Sequence, residues 1–211
     1  MRFLFIVTLL IISGLLFISC DSSIDPLLPN DESGITNLQK LDSYIYLPIE
    51  LPQRSPSFKD SVYSISVEID GSVGGRIDYE NYYLNTEGDS VSFYFNLFIP
   101  QNSFQGIRTI TATFDSIYAA IHFTPSMVFD STLHLFHGYK GLDLTGMQTG
   151  TIDFVYTSDD GTVELISKNG TQVIVPQGIV RVMNAKLEHF SRYGWIRKAN
   201  VPSVTKMLKT D

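Results

Sequence analysis

An all-β fold, an antiparallel β-sandwich, is what this sequence predicts, and three observations carry that expectation. Short segments recur with apolar residues at every second position, turn residues separate them, and no window shows a 3.6-residue period. Aromatic residues make up 12% of the chain, 14 Phe and 11 Tyr among them, beside many Val, Ile and Thr; these side chains pack well on a pleated surface. Hydrophobic residues at 44% and charged residues at 18% are globular values, so wholesale disorder is excluded.

The first segment, residues 1–19, has a different chemistry. Met1-Arg2 is a minimal positive start, and residues 3–18 are almost wholly apolar. A membrane-spanning helix needs about 20 such residues, so the run is short for a span and suits a signal peptide. Cys20 stands where the run ends and is the single cysteine, which excludes an internal disulfide. Phe17-Ile18-Ser19-Cys20 resembles the lipobox of bacterial lipoprotein signals. That resemblance implies cleavage between Ser19 and Cys20, acylation of Cys20, and a membrane partner reached through the lipid. The address it implies is exported and lipid-anchored on the bacterial cell envelope, with the outer membrane as the expected destination and either face open. Several acyl chains, at about 0.8 kcal/mol per buried CH₂, hold a protein on a membrane essentially permanently.

Residues 20–40 read as a flexible tether: Asp21, Asp25, Asp31, Glu32, Pro26 and Pro29 leave little apolar surface to bury. Residues 41–60 alternate Leu41, Ser43, Ile45, Leu47, Ile49 and Leu51 with polar residues, Pro48 and Pro52, which predicts an extended segment or edge strand. The sandwich domain is expected over 61–198. Its strands are read from Val62 to Ile69, over the alternation Val91, Phe93, Phe95, Leu97 and Ile99, and over Ile110, Ala112 and Phe114. Leu133, Leu135, His137 and Tyr139 share a face, as do Ile152, Phe154 and Tyr156. The runs 163–166 and 173–175 read as a hairpin across a type I′ turn at Asn169-Gly170, and Asp159-Asp160-Gly161 as another turn. Val182 to Phe190 reads as the last long strand. From Trp195 a short strand and a solvated end are expected, with 199–211 as the C-terminal tail carrying Lys206 and Lys209.

Several landmarks in the second half come in the order of the ZU-five domain, the β-sandwich module of ankyrins, netrin receptors and zona-occludens scaffolds. Gly74-Gly75-Arg76-Ile77 resembles its opening turn, and Phe98-Ile99-Pro100 its isoleucine-proline step. Arg108-Thr109-Ile110-Thr111-Ala112-Thr113, Ile121-His122-Phe123-Thr124-Pro125 and Tyr139-Lys140-Gly141-Leu142-Asp143-Leu144 are similar to later segments. The most specific piece is residues 186–193, Lys-Leu-Glu-His-Phe-Ser-Arg-Tyr. The resemblance spans about 73–196 and implies an interaction or scaffolding module. It also implies one alternative, because some members of the family cleave themselves at His-Phe-Ser: Ser191 would attack the carbonyl of Phe190 while His189 takes its proton. The other reading makes His189 a packed, hydrogen-bonded residue.

Little else suggests chemistry. His134 and His137, three apart on a strand, face opposite sides and cannot share an ion, so no metal is expected. Asp70, Asp78, Asp89, Asp143, Asp153, Asp159 and Asp160 form no dense calcium loop. Gly71, Gly74 and Gly75 precede no helix that could hold a phosphate, and no cofactor is expected. A net charge of −7 without a long basic run excludes nucleic acid as an obvious partner. The function expected is therefore a membrane-anchored, non-catalytic interaction module whose partner is an envelope protein or a polysaccharide. The alternatives are self-cleavage at Phe190–Ser191 and glycan binding through Tyr79, Tyr82 and Tyr83.

Overall fold

Twelve strands build two antiparallel sheets in the computed structural model, which describes residues 44–56, 63–158 and 162–200. The fold is all-β, with two single-turn 3-10 segments at Thr149–Thr151 and Val175–Gln177. Among the described residues no helix is long and apolar enough to cross a membrane.

The five-stranded sheet consists of β3 (Gly75–Leu84), β4 (Ser90–Ile99), β7 (Val128–Lys140), β10 (Gly170–Ile174) and β11 (Ile179–His189). Their spatial order is β10-β11-β7-β4-β3. The larger sheet runs β2 (Ser64–Asp70), β5 (Ile107–Phe114), β6 (Ala120–Thr124), β12 (Arg192–Asn200), β8 (Ile152–Thr157) and β9 (Val163–Leu165). Its seventh strand, β1 (Tyr44–Pro48), pairs with β12 over Ile196–Asn200, beyond the stretch Arg192–Gly194 that pairs with β6. Part of the 41–60 segment thus forms a strand of the larger sheet.

Period-two alternation decides which residues meet between the sheets. Val91, Phe93, Phe95, Leu97 and Ile99 point inward from β4, and Leu133, Leu135, His137 and Tyr139 from β7; all are buried. Ile110, Ala112 and Phe114 of β5, Ile121 and Phe123 of β6, Phe154 of β8 and Trp195 of β12 are buried within the same core. Each such large side chain stabilises the fold by about 1.5–3 kcal/mol through burial. Ring pairs add about 0.5–1.5 kcal/mol each; Phe93 and Phe114 lie 4.4 Å apart, and Phe95 meets Phe123 edge to face at 5.7 Å.

Two sequence expectations give way here. Residues 163–166 and 173–175 do not pair: β9 joins β8 in the larger sheet, while β10 joins β11 in the smaller. Asn169 donates its backbone N–H to the Met183 carbonyl at 2.9 Å and Gly170 pairs with Met183, so those residues begin a ladder instead of turning one. Nor is the strand ending near Phe190 the last long one. β12, nine residues long, follows it and lies in the interior of the larger sheet. Tyr193, Gly194, Trp195 and Ile196 are buried in succession, which erases the alternation a sequence reading depends on. Glycine at 194 suits the close approach of the neighbouring strand: a Cβ there would lie 3.0 Å from the Cβ of Ala120.

Candidate functional site

The segment His189-Phe190-Ser191 forms the corner between β11 and β12. Phe190 is fully buried, stacked on Phe123 at 5.2 Å and meeting Phe129 edge-on at 4.7 Å. Its N–H donates to the Met127 carbonyl at 2.8 Å, and the Ser191 carbonyl accepts from the Phe123 N–H at 2.9 Å. The His189 ring meets Tyr156 edge-on at 4.8 Å, and the His189 carbonyl accepts from the Tyr193 hydroxyl at 2.6 Å. Among the described residues no hydrogen bond joins the His189 imidazole to the Ser191 hydroxyl. Among the described residues the positive-φ residues other than glycine are Asn102 and Asn184, so neither Phe190 nor Ser191 adopts left-handed backbone. Ser191 lies beyond the end of β11, so strand periodicity does not place its side chain beside that of His189.

The other histidines separate as the strand requires. His134 lies on the outer side of β7, its Nδ1 2.7 Å from the Asn184 side-chain oxygen. His137 is fully buried on the inner side, and its Nδ1–H donates to the Tyr94 carbonyl at 2.8 Å. Burial pushes the His137 imidazole down to about 4, against the small opposing effect of that hydrogen bond. No three His, Cys, Asp or Glu side chains come together among the described residues.

The tyrosines expected to form one exposed cluster are divided between the two sides of β3. Tyr83 is buried, donates its hydroxyl to the Pro52 carbonyl at 2.8 Å, and lies under the Arg54 guanidinium at 4.8 Å. Tyr79 packs among Phe93, Phe95 and Phe114. Tyr82 alone is exposed, at 54%. Period-two geometry makes a shared platform of the three impossible. Ser19 and Cys20 lie outside the described residues, as do Asp159 and Asp160.

A different group comes together on the outer face of the five-stranded sheet. The strand registers align Glu80, Tyr94, Gly138, Arg181 and Gln172 in one row, each on its own strand. The next rows bring Asp78, Asn96 and Phe136 abreast, then Arg76, Phe98, His134 and Lys186. Gly138 is the floor of this face. A Cβ there would lie 2.7 Å from the Val180 carbonyl and 3.0 Å from both Tyr94 Cε1 and Arg181 Cγ, so only glycine lets those two side chains close over the backbone. A depression of about 520 Å³ beside them is lined by Arg76, Asp78, Glu80, Tyr94, Asn96 and Arg181.

Its charges are arranged unevenly. Arg76 and Asp78 pair at 2.8 Å, and the Asn96 amide also donates to Asp78. The hydrogen bond from Arg76, with Asn96 adding to it, holds the Asp78 carboxyl below its ordinary value. Arg181 reaches the Gln172 side-chain oxygen at 3.5 Å, and neither it nor Glu80 forms an ion pair among the described residues. Burial raises the Tyr94 phenol, which Arg181 opposes and Glu80 reinforces. Beside the depression Phe98 and Phe136 are 48% and 40% exposed and Met183 43%, so no layer of described residues covers this apolar surface. The sequence reading missed this face. The available signal was Tyr94 and Phe98 at the outward positions of β4, which alternation alone marks as the solvent side.

No protein-family model, curated protein or solved structure matches the chain.

Proposed function

We propose that the protein is an envelope lipoprotein, held to a membrane through acylated Cys20 and carrying a non-catalytic, ZU-five-like β-sandwich that binds an envelope component. The sequence supports the anchor: the apolar run of residues 3–18 ends at the chain's single cysteine and is followed at once by a polar stretch. The observation that carries the binding half is the uncovered outer face of the five-stranded sheet, where Tyr94, Phe98, Phe136 and Met183 lie among charged groups. Contiguous exposed aromatic surface rimmed by polar side chains marks interaction sites, whereas a solvated sheet face ordinarily carries small polar residues. The free edge of β3 is a poorer candidate for strand addition. Its outward side chains include Arg76, Asp78 and Glu80, and charges along an edge discourage pairing with another chain.

Both halves are open to test. Cells expressing wild type and Cys20→Ala are labelled with radioactive palmitate and fractionated; the wild type carries label and sediments with membranes, and the variant does neither. An unlabelled wild type removes the anchor. Retention of the purified full chain on isolated envelope material, compared with a Tyr94→Ala/Phe136→Ala variant, tests the face; equal retention removes it.

A further inference from the structure

The depression beside Tyr94 combines one aromatic side chain, an acceptor, Glu80, that forms no ion pair among the described residues, and a donor, Arg181, held only by Gln172 at 3.5 Å. We infer that it is a saccharide subsite, taking neutral hexopyranose units of a polysaccharide; the inference rests on the binding face proposed above and names its ligand.

The row Glu80-Tyr94-Gly138-Arg181 supplies the recognition chemistry. A pyranose has an apolar face of axial C–H bonds and a rim of hydroxyls that both donate and accept. An aromatic side chain matches the apolar face. Carboxylate and guanidinium groups match the rim, the first accepting two hydroxyl protons and the second donating along its planar fork. The missing side chain at 138 lets Tyr94 and Arg181 pack over the backbone, which sets the aromatic ring and the guanidinium stem side by side.

Charge selects the class of sugar. Asp78 is already satisfied by Arg76 and Asn96, so that trio presents no net charge. Glu80 and Arg181 remain, opposite in sign and on either side of Tyr94, and their sum is also zero. An acidic sugar would meet the Glu80 carboxylate, and a basic one the Arg181 guanidinium. A neutral oligosaccharide can hydrogen-bond to both. Glu80 and Arg181 stand three strand spacings apart, about 14 Å, so the row is long enough for a short oligosaccharide lying across the strands. Phe136 in the adjacent row, 40% exposed, extends the apolar track beyond the first sugar.

The test is isothermal titration of the full chain, purified in detergent micelles, with four hexasaccharides: β-1,4-glucan, β-1,3-glucan, β-1,4-mannan and α-1,4-galacturonan. At least one neutral hexaose is expected to bind, with affinity falling about tenfold or more in Tyr94→Ala and also falling in Glu80→Gln and Arg181→Gln, each checked for an unchanged melting temperature. Preference for the galacturonan overturns the assignment to neutral sugars. Binding that survives Tyr94→Ala and Glu80→Gln alike overturns the location. Silence with all four overturns the saccharide inference. Envelope retention that is still lost in the Tyr94→Ala/Phe136→Ala variant would then leave the binding face standing with a protein as its partner, and retention that is unaffected would remove the face as well.

Discussion

Lowering the pH should destabilise this sandwich through one residue, His137. The imidazole is fully buried between the sheets, with Phe114, Tyr139 and Phe154 within 5.2–5.7 Å, and it is held neutral. Its Nδ1–H is satisfied by the Tyr94 carbonyl, while Nε2 has no partner, so a second proton would be a buried charge without an acceptor. The folded chain therefore binds that proton only near pH 4, whereas the unfolded chain binds it near 6.5. The sign follows: below 6.5 the unfolded state carries more protons, so stability is intact above 6.5, falls as pH drops, and levels off once pH passes about 4. Worked through for one site, the loss reaches about 2.5 kcal/mol at pH 4.5. With a urea slope of roughly 2 kcal/mol per M, the midpoint moves down by about 1 M or slightly more. The assay is urea unfolding followed by Trp195 fluorescence at pH 7.5, 6.0, 5.0 and 4.5, for wild type and for His137→Gln. The variant keeps a donor toward Tyr94 but cannot be protonated. It is expected to be less stable at pH 7.5, because it loses ring contacts, yet nearly flat between 7.5 and 4.5. Parallel pH profiles for the two proteins would refute the reasoning. Asp70, Asp78 and Asp143, whose carboxyls are lowered chiefly by hydrogen bonds from Ser72, Arg76 and Thr145, lose their contribution only at lower pH.

Three further outcomes are expected. Phe190→Ala should cost about 3–5 kcal/mol, since it empties the space between Phe123 and Phe129, while Ser191→Ala should change stability by no more than about 0.5 kcal/mol; chemical denaturation measures both. Intact mass of the purified chain should show no loss of the residues after Phe190, and should be the same apart from the substitution in Ser191→Ala; a clipped wild type with an unclipped variant would restore the self-cleavage reading. Gly138→Ala should destabilise the sheet by about 1–3 kcal/mol, because the new Cβ presses on the Val180 carbonyl, and should weaken retention on envelope material by displacing Tyr94 or Arg181; a stable variant with full retention would contradict the role given to that floor.

Strands whose alternation survives in the sequence were legible. β4 and β7 each bury every second residue over most of their length, and in both the inward set is uniformly large. β3 was harder, since its inward positions Ile77, Tyr79, Asn81 and Tyr83 mix polar and aromatic residues while Tyr82 points the other way. β12 hid for the opposite reason: four consecutive buried residues have no period of two. The partition of residues 163–175 between two sheets is a tertiary decision, fixed by what β8 and β11 offer as neighbours rather than by the Asn169-Gly170 pair. The candidate site was least legible of all. Its members come from five strands, and their union depends on the register that sets Gly138 between Tyr94 and Arg181. It depends equally on no second layer of described residues covering that side, which no local pattern records.

Hydroxyl-radical footprinting of the purified protein, with and without isolated envelope material, probes the binding face most directly. The account predicts that oxidation of Tyr94, Phe98 and Phe136 falls severalfold when the material is present, while Ile107 and Ile117, exposed at 56% and 59% outside the five-stranded sheet, are oxidised as before. Unchanged oxidation of the three aromatic residues, or protection confined to Ile107 and Ile117, would contradict it.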